Sequence, residues 1–231
     1  MHLSSPGTIA GRIATVRAEV ARACARSGRD PASVTLIGVT KTYPVAAVAE
    51  ALEAGLMDFG ENRAQELVPK AQAAASMRLQ PRWHFIGHLQ RNKVREVLPH
   101  IVTLHSLDSV RLAEEIEREG ERGAAARLPC YLEVNMAGEK TKQGIAPEAL
   151  PALLGQVAAY RHIEVVGLMT VAPQVPGPER VRPVFRDLRR LAAAHGLAGL
   201  SMGMSEDYVV AVEEGATAIR VGRALFGPRQ A

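Results

Sequence analysis

Lys41 follows the apolar run Leu36-Ile37-Gly38-Val39 and shares strand parity with Ile37 and Val39. An amine held against apolar walls is poorly solvated, which lowers its pKa and frees it to attack a carbonyl. Taken alone, the residue reads better as a strand-end lysine whose ammonium reaches water. Two further segments change that balance. In Leu200-Ser201-Met202-Gly203-Met204-Ser205-Glu206-Asp207, Gly203 permits close backbone approach and Ser205 has the chemistry of a helix N-cap. The acids Glu206 and Asp207 suit a first helical turn better than they suit a bound anion. In Ile219-Arg220-Val221-Gly222-Arg223 an arginine interrupts an apolar strand and needs a partner, and Gly222 opens a turn whose free N–H groups can hold an anion. A nucleophilic amine beside an anion cradle describes a site for a phosphorylated aldehyde. Jointly, this reading is preferred over three unrelated structural ones.

Other polar residues are weaker candidates. Asn62, within Glu61-Asn62-Arg63, either reaches a ligand or caps the next helix. His84 and His88 flank Phe85-Ile86-Gly87, but a zinc site needs a further ligand pattern, so structural hydrogen bonding is the preferred reading. Arg91, Lys93 and Arg95 read as a solvated helix face.

Positioning these residues requires all the segments at one end of a sheet. Short β-rich runs predict strands at Val34–Thr40, Met57–Phe59, Trp83–Ile86, Ile101–Leu104, Cys130–Asn135, Glu164–Met169, Leu200–Met202 and Ala218–Val221. Helical patterns separate them at Val45–Ala54, Ala64–Ala75, Arg91–Leu98, Ser109–Arg122, Pro147–Tyr160, Glu179–His195 and Glu206–Glu214. This alternation predicts parallel strands, and eight units in this length predict a single (β/α)8 TIM barrel, one α/β domain over residues 1–231. An open doubly wound sheet would show a G-x-G-x-x-G turn after the first strand, and Gly38-Val39-Thr40-Lys41 is not one. Ile9, Ile13, Val16 and Val20 recur at helical spacing and predict an extra N-terminal helix over the barrel. Barrel sites sit at the C-terminal ends of strands, with phosphate often held after strands seven and eight, where the second and third segments fall. The Pro- and Gly-rich stretch Ala172–Pro178 follows the sixth strand as a functional loop.

Composition narrows the classes. Apolar residues are 47% and charged residues 23% of the 231, the balance of an ordinary soluble domain. A formal charge of +4 with 4% aromatics argues against a nucleic-acid partner. No apolar run reaches membrane-span length. Cys24 and Cys130 form no C-x-x-C pair and read as buried thiols in a reducing, cytoplasmic compartment. Residues 8–28 are Arg-rich with one acid, as in a transit peptide, but their helical spacing runs straight into the fold.

Six stretches together resemble the pyridoxal phosphate homeostasis protein family: Val39-Thr40-Lys41-Thr42, Phe59-Gly60-Glu61-Asn62, Trp83-His84-Phe85-Ile86-Gly87-His88-Leu89-Gln90, Gly167-Leu168-Met169-Thr170, Ser201-Met202-Gly203-Met204-Ser205 and Ile219-Arg220-Val221-Gly222. They run from the first strand to the last. The resemblance implies a fold-type III barrel like the N-terminal domain of alanine racemase, with pyridoxal 5'-phosphate (PLP) as cofactor and Lys41 as its Schiff-base lysine. It implies further that Ser201, Gly203, Gly222 and Arg223 surround the phosphate, that Arg220 faces the pyridine nitrogen, that Asn62 lies near the cofactor, and that Met202 and Ser205 belong to the cofactor-binding set. Many members have Thr or Ser after Gly222, where this chain has Arg223. The implied role is control of intracellular vitamin B6 and amino-acid balance without an established enzymatic activity; a monomer is expected, with PLP and PLP-dependent apoenzymes as its partners. A PLP-dependent amino-acid racemase is the alternative, and a Schiff-base aldolase that needs no cofactor is a third class.

Overall fold

In a computed structural model, described for residues 7–123, 126–139 and 142–228, the chain forms a closed parallel barrel. Its strands, in chain and in spatial order, are β1 (Thr35–Val39), β2 (Asp58–Glu61), β3 (Arg82–Phe85), β4 (Ile101–Leu107), β5 (Leu128–Glu133), β6 (Ile163–Met169), β7 (Gly199–Ser201) and β8 (Ala218–Val221). Closure is made by β1 against β8, with Ile37 opposite Arg220. The predicted barrel and all eight predicted strands are therefore present.

The helices are α1 (Ile9–Arg26), α2 (Val45–Glu53), α3 (Ala64–Ser76), α4 (Val94–Val97), α5 (Val110–Gly123), α6 (Leu150–Val157), α7 (Arg182–Ala194), α8 (Tyr208–Glu213) and α9 (Arg223–Phe226). Helix α1 is the predicted extra element. Thr8 Oγ1 caps it by accepting from the Gly11 N–H at 3.1 Å, and Ile9, Ile13, Val16, Val20, Ala23 and Cys24 form its buried stripe. That stripe packs on α2, α8 and α9, so the helix covers the barrel where the chain closes on itself.

Several predicted helices are shorter than their apolar periodicity suggests, and proline explains most of the difference. The segment predicted as helix over Arg91–Leu98 is broken into a 3-10 turn, the four-residue α4 and a second 3-10 turn containing Pro99. The predicted Pro147–Tyr160 and Glu179–His195 helices each open with a 3-10 turn and become α-helical only near Pro151 and Pro183. Prolines are well tolerated in a first helical turn and poorly beyond it. No helix among the described residues is long and apolar enough to cross a membrane.

Candidate functional site

A cleft of about 450 Å³ opens at the C-terminal ends of the strands, the size of a small-molecule site. Val39 and Lys41 reach it from β1, Asn62 follows β2, and Ile86 follows β3. Residues 171–175, Gly177 and Pro178 after β6 make one wall. Met204, Ser205, Glu206 and Asp207 after β7, with Arg220, Gly222 and Arg223 from β8 and its exit, make the other. Six of the nine sequence-derived site residues thus border one cleft: Lys41, Asn62, Ser205, Arg220, Gly222 and Arg223. Ser201, Met202 and Gly203 are fully buried behind its wall.

Lys41 sits just past a rigid strand end. Thr40 before it is fully buried, and its hydroxyl donates to Glu61 Oε1 at 2.6 Å. Lys70 donates to the Thr40 carbonyl at 2.7 Å and pairs with the same Glu61 carboxylate. Burial raises the Glu61 pKa, opposed by Lys70, and Glu61 Oε2 has no hydrogen-bond partner. After Lys41 the backbone turns sharply, because Thr42 adopts a φ of +68°. A left-handed conformation at a β-branched residue is strained, on the order of 1–3 kcal/mol, and such strain gathers at functional sites.

Asn62 is held by a close approach of two backbones. A Cβ on Gly87 would lie 2.3 Å from the Asn62 carbonyl oxygen, so only glycine fits there. Asn62 does not cap α3; Arg63 occupies that position. Its Oδ1 is buried without a partner on the cleft wall, a polar atom for which a ligand is the natural complement.

Arg220 is 4% exposed. Nη1 donates to the Ser201 carbonyl at 2.8 Å and to Ser201 Oγ at 2.5 Å, and Nη2 donates to the Thr170 carbonyl at 2.9 Å. Burial lowers its pKa to about 10, against the opposing pull of Glu133 and Asp207, so it stays cationic at neutral pH. Gly203 takes a φ of +95°, and a Cβ there would lie 2.5 Å from Ala211 Cβ. The chain can therefore bend from β7 toward α8 only through a glycine.

Ser205 was expected to cap the next helix and does not. The helix begins later, at Tyr208, because Asp207 Oδ1 accepts from the Met204 N–H at 2.6 Å and closes a turn over the intervening residues. Ser205 Oγ instead accepts from the Gly222 and Ala224 N–H groups at 3.2 and 3.4 Å, across to the start of α9. Arg223 pairs with Glu206, both strongly exposed, a contact of little energetic weight.

Residues 13–230 match the family described as the N-terminal domain of alanine racemase. The pyridoxal phosphate homeostasis protein of Pseudomonas aeruginosa is 43% identical over 224 residues, 96% of each chain. That of Aquifex aeolicus is 41% identical over 225 residues, 95% of this chain and 97% of the relative. The chain belongs to the pyridoxal phosphate homeostasis protein family. A solved member of similar fold is PipY of Synechococcus elongatus PCC7942 with PLP bound, 36% identical with a TM-score of 0.83, covering 95% of this chain and all of that one.

The sequence alone did not single out His105. His105 is fully buried in β4, bonded to His84 and Ser201 and stacked on Tyr131 at 4.6 Å between ring centroids. The signal was present: a histidine between Leu104 and Leu107 in Ile101–Leu107, a strand whose end was set three residues short. His84 does serve structural hydrogen bonds, to His105 and Asp58.

Proposed function

We propose that this chain binds PLP in the cleft and carries it as a Schiff base on Lys41, serving vitamin B6 homeostasis as a carrier without catalytic turnover. One observation carries the reading. Lys41, the orphaned Asn62 amide oxygen and the buried cationic Arg220 border one cleft at the strand ends. The Lys41 amine condenses with the aldehyde, releasing one water. When bound, PLP supplies an electrophilic carbon and an electron-withdrawing ring.

The chain's own groups suit the remaining parts of the ligand. Three of the five Arg220 N–H donors go to Ser201 and Thr170, which leaves donors for the ring nitrogen. The bonds from Gly222 and Ala224 to Ser205 are long, and a phosphate oxygen is a stronger acceptor than a hydroxyl. We place the phosphate against Ser205 and Gly222, with Arg223 free to exchange its exposed partner Glu206 for it. Ser201, Met202 and Gly203 belong to the proposed set as the strand end on which that wall is built. PLP in PipY and the names of the relatives support the ligand and the homeostatic role. We read the chain as a cytoplasmic monomer that exchanges PLP with apoenzymes.

The visible spectrum of purified protein titrated with PLP tests this. A new absorption band that borohydride abolishes, and that Lys41→Ala fails to develop, is expected. A wild-type protein that leaves the spectrum of free PLP unchanged contradicts the reading.

A further inference from the structure

Beneath the cleft, six side chains form an unbroken run of hydrogen bonds along the barrel. Arg220 Nη1 donates to Ser201 Oγ at 2.5 Å, and Ser201 Oγ lies 2.8 Å from His105 Nδ1. His105 Nε2 lies 3.0 Å from His84 Nδ1, and His84 Nε2 lies 3.0 Å from Asp58 Oδ1. Arg82 closes the run with bonds of 2.8 and 2.6 Å to the Asp58 carboxylate. Strands β4 and β7 are not neighbours in the barrel, so the contact between His105 and Ser201 crosses the lumen. Asp58 and Arg82 are the first residues of β2 and β3, at the end of the barrel opposite the cleft. Barrel interiors are ordinarily filled by branched apolar side chains, so a polar run of this length is not what packing alone selects.

The hydrogen-bonding roles at both ends are fixed. An arginine only donates and an ionised carboxylate only accepts. Burial works against ionisation of Asp58, but hydrogen bonds from His84 and Arg82 outweigh it and hold its pKa below the ordinary value. Burial, with His84 and Arg220 nearby, holds the His105 pKa well below that of a free imidazole, so this ring is neutral. Starting from Asp58, His84 Nε2 must carry a proton. In the neutral arrangement His84 Nδ1 then accepts from His105 Nε2, and His105 Nδ1 accepts from the Ser201 hydroxyl. Ser201 Oγ keeps a lone pair for Arg220. Every member is satisfied, the bonds from Arg220 to Asp58 all point the same way, and Arg82 donates to Asp58 from the other side. A doubly protonated His84 would donate from Nδ1 and force His105 into the Nδ1–H tautomer. Two donors would then converge on Ser201 Oγ, and its hydroxyl proton would lose its acceptor in a fully buried place.

We propose that His84 and His105, both as Nε2–H tautomers, are positioning residues that carry the Asp58 carboxylate's orienting effect across the barrel to Ser201 and so hold the Arg220 guanidinium toward the cleft. They touch no ligand. They act through Ser201, whose Oγ meets both His105 Nδ1 and Arg220 Nη1. The consequence for PLP rests on the reading of the cleft given above; the proton arrangement does not.

Nitrogen NMR of histidine- and arginine-labelled protein without ligand tests the arrangement directly. Both rings are expected to show a protonated Nε2 and a bare Nδ1, with slowly exchanging Arg220 guanidinium protons. A proton on Nδ1 of either ring overturns the proposal, and this measurement needs no variant to fold. Asp58→Asn then supplies the long-range arm. Its amide can donate to His84 Nε2, which reverses both tautomers and should displace the Arg220 resonances and the visible band of bound PLP. Reversed rings with unmoved Arg220 resonances overturn the positioning role. His105→Phe keeps the stack on Tyr131 and breaks the run, and it should move the same resonances. Failure of the wild type to bind PLP strikes the reading of the cleft alone, whereas ring states contrary to those above strike the relay.

Discussion

Glu66 Oε2 accepts the Thr42 N–H at 2.7 Å and so holds the left-handed turn that follows Lys41. The bond and the strain oppose each other. Removing the acceptor by Glu66→Ala should cost about 1 kcal/mol, the net worth of one exposed hydrogen bond. Thr42→Gly keeps the turn, removes the β-branched strain and adds chain entropy of similar size, so its stability should stay within about 1 kcal/mol of wild type. Denaturant melts of both variants check this. A larger loss for Thr42→Gly than for Glu66→Ala would show that Thr42 is not strained.

Glu133, at the end of β5, is the buried acid whose ionisation the fold resists most clearly. Burial, with Asp108 nearby, raises its pKa to about 7, although Arg220 pulls the other way. A folded-state value above the unfolded one gives stability that is fully present below about 4.5 and is lost as pH rises through about 7. Glu133→Gln cannot ionise. Its stability relative to wild type should therefore grow between pH 5 and pH 8, by about 1–3 kcal/mol. Melting curves at both pH values measure the difference. A constant difference would mean that Glu133 titrates normally.

Much of this architecture is legible in the sequence because its signals are local. Strand–helix alternation gives the barrel, and Lys41, Asn62, Arg220 and Gly222 stand at strand ends where barrels keep their sites. What escaped depends on contacts between distant strands. Ser205 carries the sequence signature of a helix cap, yet its hydroxyl takes N–H groups 17 and 19 residues away. His105 meets Ser201 across the lumen, and no periodicity in β4 announces that pairing. Thr42 looks like an ordinary loop residue until Glu66 is seen to hold it.

The phosphate should dominate non-covalent affinity. Charge-assisted bonds from the Gly222 region and Arg223 are worth about 1.5–3 kcal/mol each. Pyridoxal should then bind Lys41→Ala at least about tenfold more weakly than PLP does. Equilibrium dialysis of the two ligands gives the ratio. Equal dissociation constants would move the phosphate away from this wall.

Alanine racemisation should be negligible despite a bound cofactor. Arg220 remains cationic, and a positive charge facing the ring nitrogen disfavours its protonation. An unprotonated ring is the weaker electron sink, and racemases of this fold offset that with a second acid–base group on the opposite face of the substrate, which the carrier reading takes to be lacking here. Conversion of L-alanine to D-alanine by PLP-loaded protein, with Lys41→Ala as control, decides the point. Lysine-dependent turnover near 1 s⁻¹ or above, at roughly the lower end of enzyme rates, would favour the racemase alternative over the carrier.

The central claim is that Lys41 alone carries the cofactor, and the direct measurement is borohydride reduction of PLP-loaded protein followed by peptide mass mapping. Reduction fixes the imine as a stable amine on whichever lysine formed it. The label is expected on the peptide containing Lys41 and lost in Lys41→Ala. Label found mainly on Lys70, which lies against the same strand end in its pair with Glu61, or on Lys93, Lys140 or Lys142, would contradict it.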